Sequence, residues 1–268
     1  FSDEFAINAY MDSSVDIDNK IAAQEHQEIL SALESAGVEI IKVRPPVDCQ
    51  DGVYTANWGL VHNNKVVLSN LPNKRKNEEP YAKKILQDLG FETIECPYRF
   101  SGQGDALQCG GYLFIGTDYR TDLNAHNFVR QHLGFETISV QTIPYVDKDG
   151  NPKLNEVTGW PDSFFYDLDL AIAVLSPDLI AWCPEAFVPE SQARIRNLNV
   201  EKIKVSYEEA TKGFACNLVS TGSTVIMSAN APELKKKLEN RGFKVVTPTI
   251  TELAKGGGYI RCSTLTLG

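Results

Sequence analysis

None of the six cysteines is paired at CxxC spacing, so the chain offers neither a zinc ribbon nor a dithiol redox motif, and most of the six are expected to be small buried hydrophobes. No apolar run approaches the length of a membrane span. The opening FSDEFAINAYMD has neither the basic start nor the long apolar stretch of a signal peptide. The expectation is a cytoplasmic protein without a membrane partner. Basic residues are in deficit too: 26 Lys and Arg against 35 Asp and Glu leave a net charge of −9, with none of the basic patches that nucleic acid requires. Such a field suits a small cationic ligand. What the chain does have is core material, since 43% of its 268 residues are hydrophobic, which argues against disorder and suffices for one large domain.

The string LGFETI occurs at 89–94 and again at 133–138. Each copy follows a stretch of helical period, so its glycine reads as the residue just past a helix and FETI as the start of a strand. The same helix, cap and strand recur at ALESAG/VEII with Gly37, at KKKLENRG/FKVV with Gly242, and at ARIRNLN/VEKI with Asn199 in the glycine's place. Ahead of four of these helices lie paired apolar runs split by turn residues, the sequence form of a β-hairpin, at 56–70, 105–118, 169–184 and 216–230. The repeating module is therefore strand, strand, helix, strand. The first module has only FAINAYM before its helix at 17–36, and GGGYIRCSTLTL is left over at the far end, so a C-terminal strand is expected to complete module one and close a ring. Five such modules put the ends of their inner strands around one channel. The reading is a single α/β domain over 1–268.

Polar clusters sit at the predicted hairpin ends: DCQDGVYTAN, SGQGDA, YRTD, FYDLDLA, FACN and KGGGYIRCS. Unpaired buried charge costs several kcal/mol, so these groups should persist only where they pair with one another or with a ligand. Cys262 stands out, because it follows Gly256, Gly257 and Gly258 and directly succeeds Arg261. Backbone N–H groups of such a turn would favour a thiolate.

In this order the motifs INAYM (7–11), TAN (55–57), RKNE (75–78), SGQGDAL (101–107), YRTD (119–122), FYDLD (165–169) and GGGYIRC (256–262) resemble the guanidino-modifying enzymes of the pentein superfamily, most closely the bacterial dimethylargininase, arginine dihydrolase and amidinotransferase group. The resemblance implies a five-bladed α/β propeller with its site in the central channel and no metal or organic cofactor. It also implies attack of a cysteine thiolate on the guanidinium carbon, loss of an amine and hydrolysis of a covalent amidino intermediate. Cys262 matches the nucleophile, and Asp105 and Asp169 match carboxylates that grip the guanidinium of a small-molecule substrate. Arg120 matches an arginine for the substrate carboxylate; Asn8, Asn57 and Arg75 match other polar positions at the amino-acid end. Arg75 lies in NKRKNEE, which read alone is a solvated charge run. An asparagine in the TAN position is associated, in relatives that take arginine to ornithine, with a second hydrolysis. Citrulline and ornithine are both admissible products, and transfer to an amine is the alternative reaction. A homo-oligomer is compatible with the sequence.

One position departs from the pattern. Where the family has FYHLD this chain has FYDLD, placing Asp167 at the site of a histidine that protonates the leaving amine and activates water. Asp167 stands either for an introduced change that traps a complex, for a natural substitution that redirects the reaction, or for a guanidine-binding protein that has lost catalysis. The four histidines, His26, His62, His126 and His132, fall on predicted helices or in the 62–65 turn and offer no replacement.

Overall fold

In the four modules from residue 56 to 246 helix and strand fall where the apolar spacing puts them. The computed structural model describes residues 1–2 and 4–268. Helix α1 (Asn19–Ser35) begins at Asp18, whose carboxylate accepts the N–H groups of Lys20 and Ile21, and it buries Ala22, Ile29, Ala32 and Leu33. Three modules of strand, strand, helix, strand follow. They are β1 (Gly59–His62), β2 (Lys65–Leu68), α2 (Glu78–Asp88) and β3 (Glu92–Glu95); β4 (Ala106–Cys109), β5 (Tyr112–Gly116), α3 (Leu123–Leu133) and β6 (Glu136–Val140); and β7 (Ile172–Ser176), β8 (Leu179–Trp182), α4 (Pro189–Arg196) and β9 (Glu201–Lys204). After a short helix α5 (Tyr207–Lys212) comes the last, β10 (Val219–Ser220), β11 (Thr224–Ile226), α6 (Pro232–Glu239) and β12 (Lys244–Val246).

Among the described residues there are four three-stranded sheets, and in each the middle strand runs antiparallel to the first and parallel to the third. A two-residue hairpin can join only antiparallel strands, whereas the parallel step needs the crossover that each helix supplies. The glycines at 37, 90, 134 and 242 all take positive φ, from +78° to +91°. A Cβ on any of the four would meet nothing within 4 Å, so it is the left-handed backbone and not packing that demands glycine there.

The first strands lie beside one another, β4 against β7 and β7 against β10, while the turn at 102–104 packs on β1. Their side chains merge into one core running from Phe114 through Ile172, Ile180 and Val225 to Leu234 and Tyr259, which also takes in Ile29 and Leu33 of α1. A second cluster gathers around Phe100, Leu113, Ile115 and Val129. Each fully buried Phe or Leu contributes roughly 1.5–3 kcal/mol. No helix among the described residues is long and apolar enough to cross a membrane.

Two expectations fail. Asn199 is not left-handed: α4 ends two residues earlier, at Asn197 with φ −80°, in a right-handed conformation that any residue can adopt. Module one has its helix and its Gly37 cap, but VEII at 38–41 forms no strand, and neither does FAINAYM nor the C-terminal segment. At the two ends the reason is that side chains take up the backbone groups a ladder would use. Asn155, Arg120 and Gln50 donate to the carbonyls of Ala6, Ile7 and Phe5, and Gln103 bonds both the N–H and the C=O of Thr266. The two ends still meet through α1, where the buried Glu25 carboxylate accepts the N–H groups of Thr251, Glu252 and Leu253.

Candidate active site

A short turn precedes the first strand of each sheet, and these turns deliver the polar residues. Asn57 lies in the 3-10 turn Thr55–Trp58, Asp105 directly follows Gly102–Gly104, Asp167 and Asp169 flank Leu168 at the turn Leu168–Leu170, and Asn217 comes just before β10. Cys262 sits in the corresponding turn of the C-terminal segment. Because the first strands are neighbours, the turns converge.

Their side chains form one buried network. The Asn217 amide grips Cys262 twice, Nδ2 donating to Sγ at 3.1 Å and Oδ1 accepting from the Cys262 N–H at 3.2 Å. On its other side Sγ lies 3.4 Å from Oδ2 of Asp169. Asp105 Oδ1 accepts the N–H of Leu168 at 3.0 Å, and Asn57 Nδ2 donates to Asp167 Oδ2 at 2.8 Å. Gly104 makes the last contact feasible, since a Cβ there would stand 2.3 Å from Asn57 Nδ2 and 2.8 Å from Asp167 Oδ2. Asp167 and Asp169 are each 1% exposed, and each keeps one oxygen, Oδ1, without any hydrogen-bond partner.

Burial sets the protonation states. Loss of water, followed by the charge of Asp167, pushes Asp169 up to about 8 and holds Asp105 well above the ordinary carboxylate range. The Cys262 thiol is likewise raised well above its usual value, first by burial and then by Asp169 and Asp167. This reverses the expectation of a thiolate stabilised by glycine N–H groups. Those glycines serve packing instead: Gly258 admits the Tyr54 ring and Gly257 admits Asn8. In the unliganded protein the thiol is protonated and donates to Asp169.

The remaining expected residues surround this network. Arg120 donates through Nη2 to the Ile7 carbonyl at 2.9 Å, with its guanidinium 4.4 Å from the Tyr166 ring centre. Asn8 bonds Gly256 O and the Tyr10 N–H. Arg75 is not a solvated charge. It is 1% exposed and donates to both Glu78 oxygens, to Asn57 Oδ1 and to the carbonyls of Asp51 and Tyr54. None of the four histidines enters the cluster; His126, for example, is spent on Ser139 and Gly116. Two surface grooves of about 640 and 570 Å³ contain no residue of this network.

Sequence reasoning placed Asn217 and Asp51 in the polar clusters FACN and DCQDGVYTAN but gave neither a role. Asn217 occupies in the last module the place that Asn57 holds in the second, two residues before the first strand, and aligning the modules on their hairpins would have found it. Asp51, 1% exposed and pushed up to about 6 by burial, has an oxygen with no partner beside Arg75.

Comparison with known proteins bears on the family of the chain. The chain is 33% identical to the bifunctional arginine dihydrolase/ornithine cyclodeaminase ArgZ of Synechocystis sp. over 98% of its length, and 28% identical over 99% to an N(G),N(G)-dimethylarginine dimethylaminohydrolase of Mycobacterium tuberculosis, covering 82% of that protein. It spans only 36% of the cyanobacterial bifunctional proteins. A solved structure of a variant ArgZ N-terminal domain, covalently bonded to a reaction intermediate, superposes with a TM-score of 0.88 at 29% identity, covering all of this chain and 94% of that one. Residues 2–267 match the family described as N,N dimethylarginine dimethylhydrolase, eukaryotic. The chain belongs to that family.

Proposed function

We propose that this protein hydrolyses the guanidinium group of arginine or an N-methylated arginine through a covalent amidino adduct on Cys262. The observation that carries the reading is the pair of buried carboxylates, Asp167 and Asp169, each keeping one oxygen without a partner, with the other oxygen of Asp169 3.4 Å from the Cys262 thiol. A guanidinium is planar, cationic and rich in N–H donors, and it satisfies such oxygens by paired, charge-assisted hydrogen bonds. We assign Asp105, a third carboxyl close to Asp167, to the same cation, and Arg120 and Arg75, with Asn8 and Asn57, to the amino-acid head of the substrate. The free oxygen of Asp51 suits an ammonium.

The same cation activates the nucleophile. A positive charge among the carboxyls lowers the proton affinity of both Asp169 and Cys262. Sγ gives up its proton, forms a bond to the guanidinium carbon and expels ammonia or a methylamine, which leaves with a proton passed from the thiol by way of Asp169. Water then attacks the same carbon and the S–C bond breaks, releasing citrulline; a second hydrolysis would release ornithine. Asp167 stands where the family has a proton donor and base, so adduct breakdown is the slow step. Transfer of the amidino group to an amine is the alternative fate of the same adduct.

Architecturally, we read residues 1–268 as a single domain of five modules closed into a ring around this site, α1 and the two terminal segments forming the fifth. Six unpaired cysteines suit a reducing compartment such as the cytoplasm. The test is a product assay over a panel of guanidines, separating citrulline, ornithine, a new guanidino compound and no product. Absence of any product with every guanidine would end the hydrolase reading.

A further inference from the structure

We propose that Glu78 is a positioning residue for Asp167, acting through Arg75 and Asn57; the inference rests on the Cys262 chemistry proposed above. Glu78, fully buried at the start of α2, accepts Arg75 Nε at 2.8 Å and Nη2 at 2.7 Å, and also Trp58 Nε1 at 3.3 Å. Arg75 in turn donates from Nη1 to Asn57 Oδ1 at 2.7 Å. The remaining end of Asn57, Nδ2, donates to Asp167 Oδ2 at 2.8 Å and to the Ser101 carbonyl and hydroxyl at 3.0 and 2.9 Å.

The order of donors and acceptors in this chain admits one arrangement only. Glutamate accepts and arginine donates, so the Asn57 atom that meets Arg75 must be its oxygen, and the amide nitrogen must face Asp167. Arg75, held in place by Glu78, thus determines which end of Asn57 the catalytic cluster sees. Glu78 engages Nε and Nη2 of Arg75, which fixes the guanidinium as a link in the chain. With Oδ2 tethered by Asn57, Asp167 presents Oδ1 to the adduct and to the attacking water. The relay should therefore matter chiefly to breakdown of the adduct, where Asp167 meets the water, and less to its formation, in which Asn217 and Asp169 are the groups that touch the sulfur.

The experiment is a double-mutant cycle on the intact protein, with adduct formation and decay on Cys262 followed by rapid quench and mass spectrometry. Glu78→Gln should slow decay about tenfold, the size expected of coupling within one hydrogen-bond network, and leave formation within about twofold. In an Asn57→Ala background Glu78→Gln should have no further effect on decay. Should Glu78→Gln fail to fold, Glu78→Asp, which keeps the charge with a shorter reach, gives the same comparison. Equal slowing of both steps, or slowing that adds to that of Asn57→Ala, would mean a merely structural role and overturn the proposal while leaving the Cys262 chemistry intact. If the parent protein forms no adduct at all, the underlying reading fails and this one with it.

Discussion

Sγ of Cys262 lies 3.4 Å from Oδ2 of Asp169, and the two groups are 3% and 1% exposed. An acid and a thiol, both stripped of water, compete for protons there until a cation enters.

Guanidine affinity should therefore depend on pH. Asp169 is pushed up to about 8, so at neutral pH a guanidinium must displace a proton to bind the carboxylate. Affinity is expected to rise by up to about tenfold per pH unit for each proton released, until the pH passes about 8. Calorimetry with arginine in buffers of different ionisation enthalpy should show protons released; affinity that is flat from pH 6 to 8 would contradict this protonation state.

Stability should move in the opposite direction. Below an unfolded-state value near 3.8, Asp169 is neutral both folded and unfolded and costs nothing. As pH rises from there the unfolded chain loses this proton and the folded one keeps it, so the unliganded fold loses stability up to about pH 8. Asp169→Asn should flatten that decline and raise the melting temperature most above pH 8, as measured by thermal unfolding across the range.

Gly257→Ala tests the turn that carries Cys262. Gly257 has φ +84°, and a Cβ there would stand 2.4 Å from Asn8 Oδ1. The strain should destabilise the fold by about 1–3 kcal/mol and displace Asn8. Unchanged denaturant unfolding would show that the turn relaxes freely.

The modules were legible because the left-handed residue after a helix is nearly always glycine, and four of five caps announce themselves that way. Asn199 misled because α4 ends without any left-handed residue. The site motifs were legible as strings, yet their electrostatics were not: whether three glycines stabilise a thiolate or simply admit Tyr54 and Asn8 depends on which groups face the sulfur. Burial, and after it the two carboxyls Asp169 and Asp167 brought from another module, decide it here. Asn217 and Glu78 were legible as the last letters of FACN and RKNE but not in their roles, which arise from a partner 45 residues away and from a chain of three side chains.

Asp167→His should raise turnover at neutral pH by about 10² to 10⁴, the usual contribution of a general acid and base. It should weaken guanidinium binding or leave it unchanged, because one negative charge leaves the cluster. If Asp167→His instead abolishes a readily measured activity, Asp167 is itself a working catalytic group. Steady-state rates with arginine and its methylated forms decide between the two.

The most direct measurement is the intact mass of the protein quenched during incubation with arginine and N-methylated arginine, followed by peptide mapping. The account predicts an adduct of the amidino-bearing substrate confined to Cys262, accumulating because Asp167 is a poor base, and absent from Cys262→Ser. Guanidine that binds calorimetrically while Cys262 stays unmodified at every time point, with no product released, would contradict it and leave a binding protein in place of an enzyme.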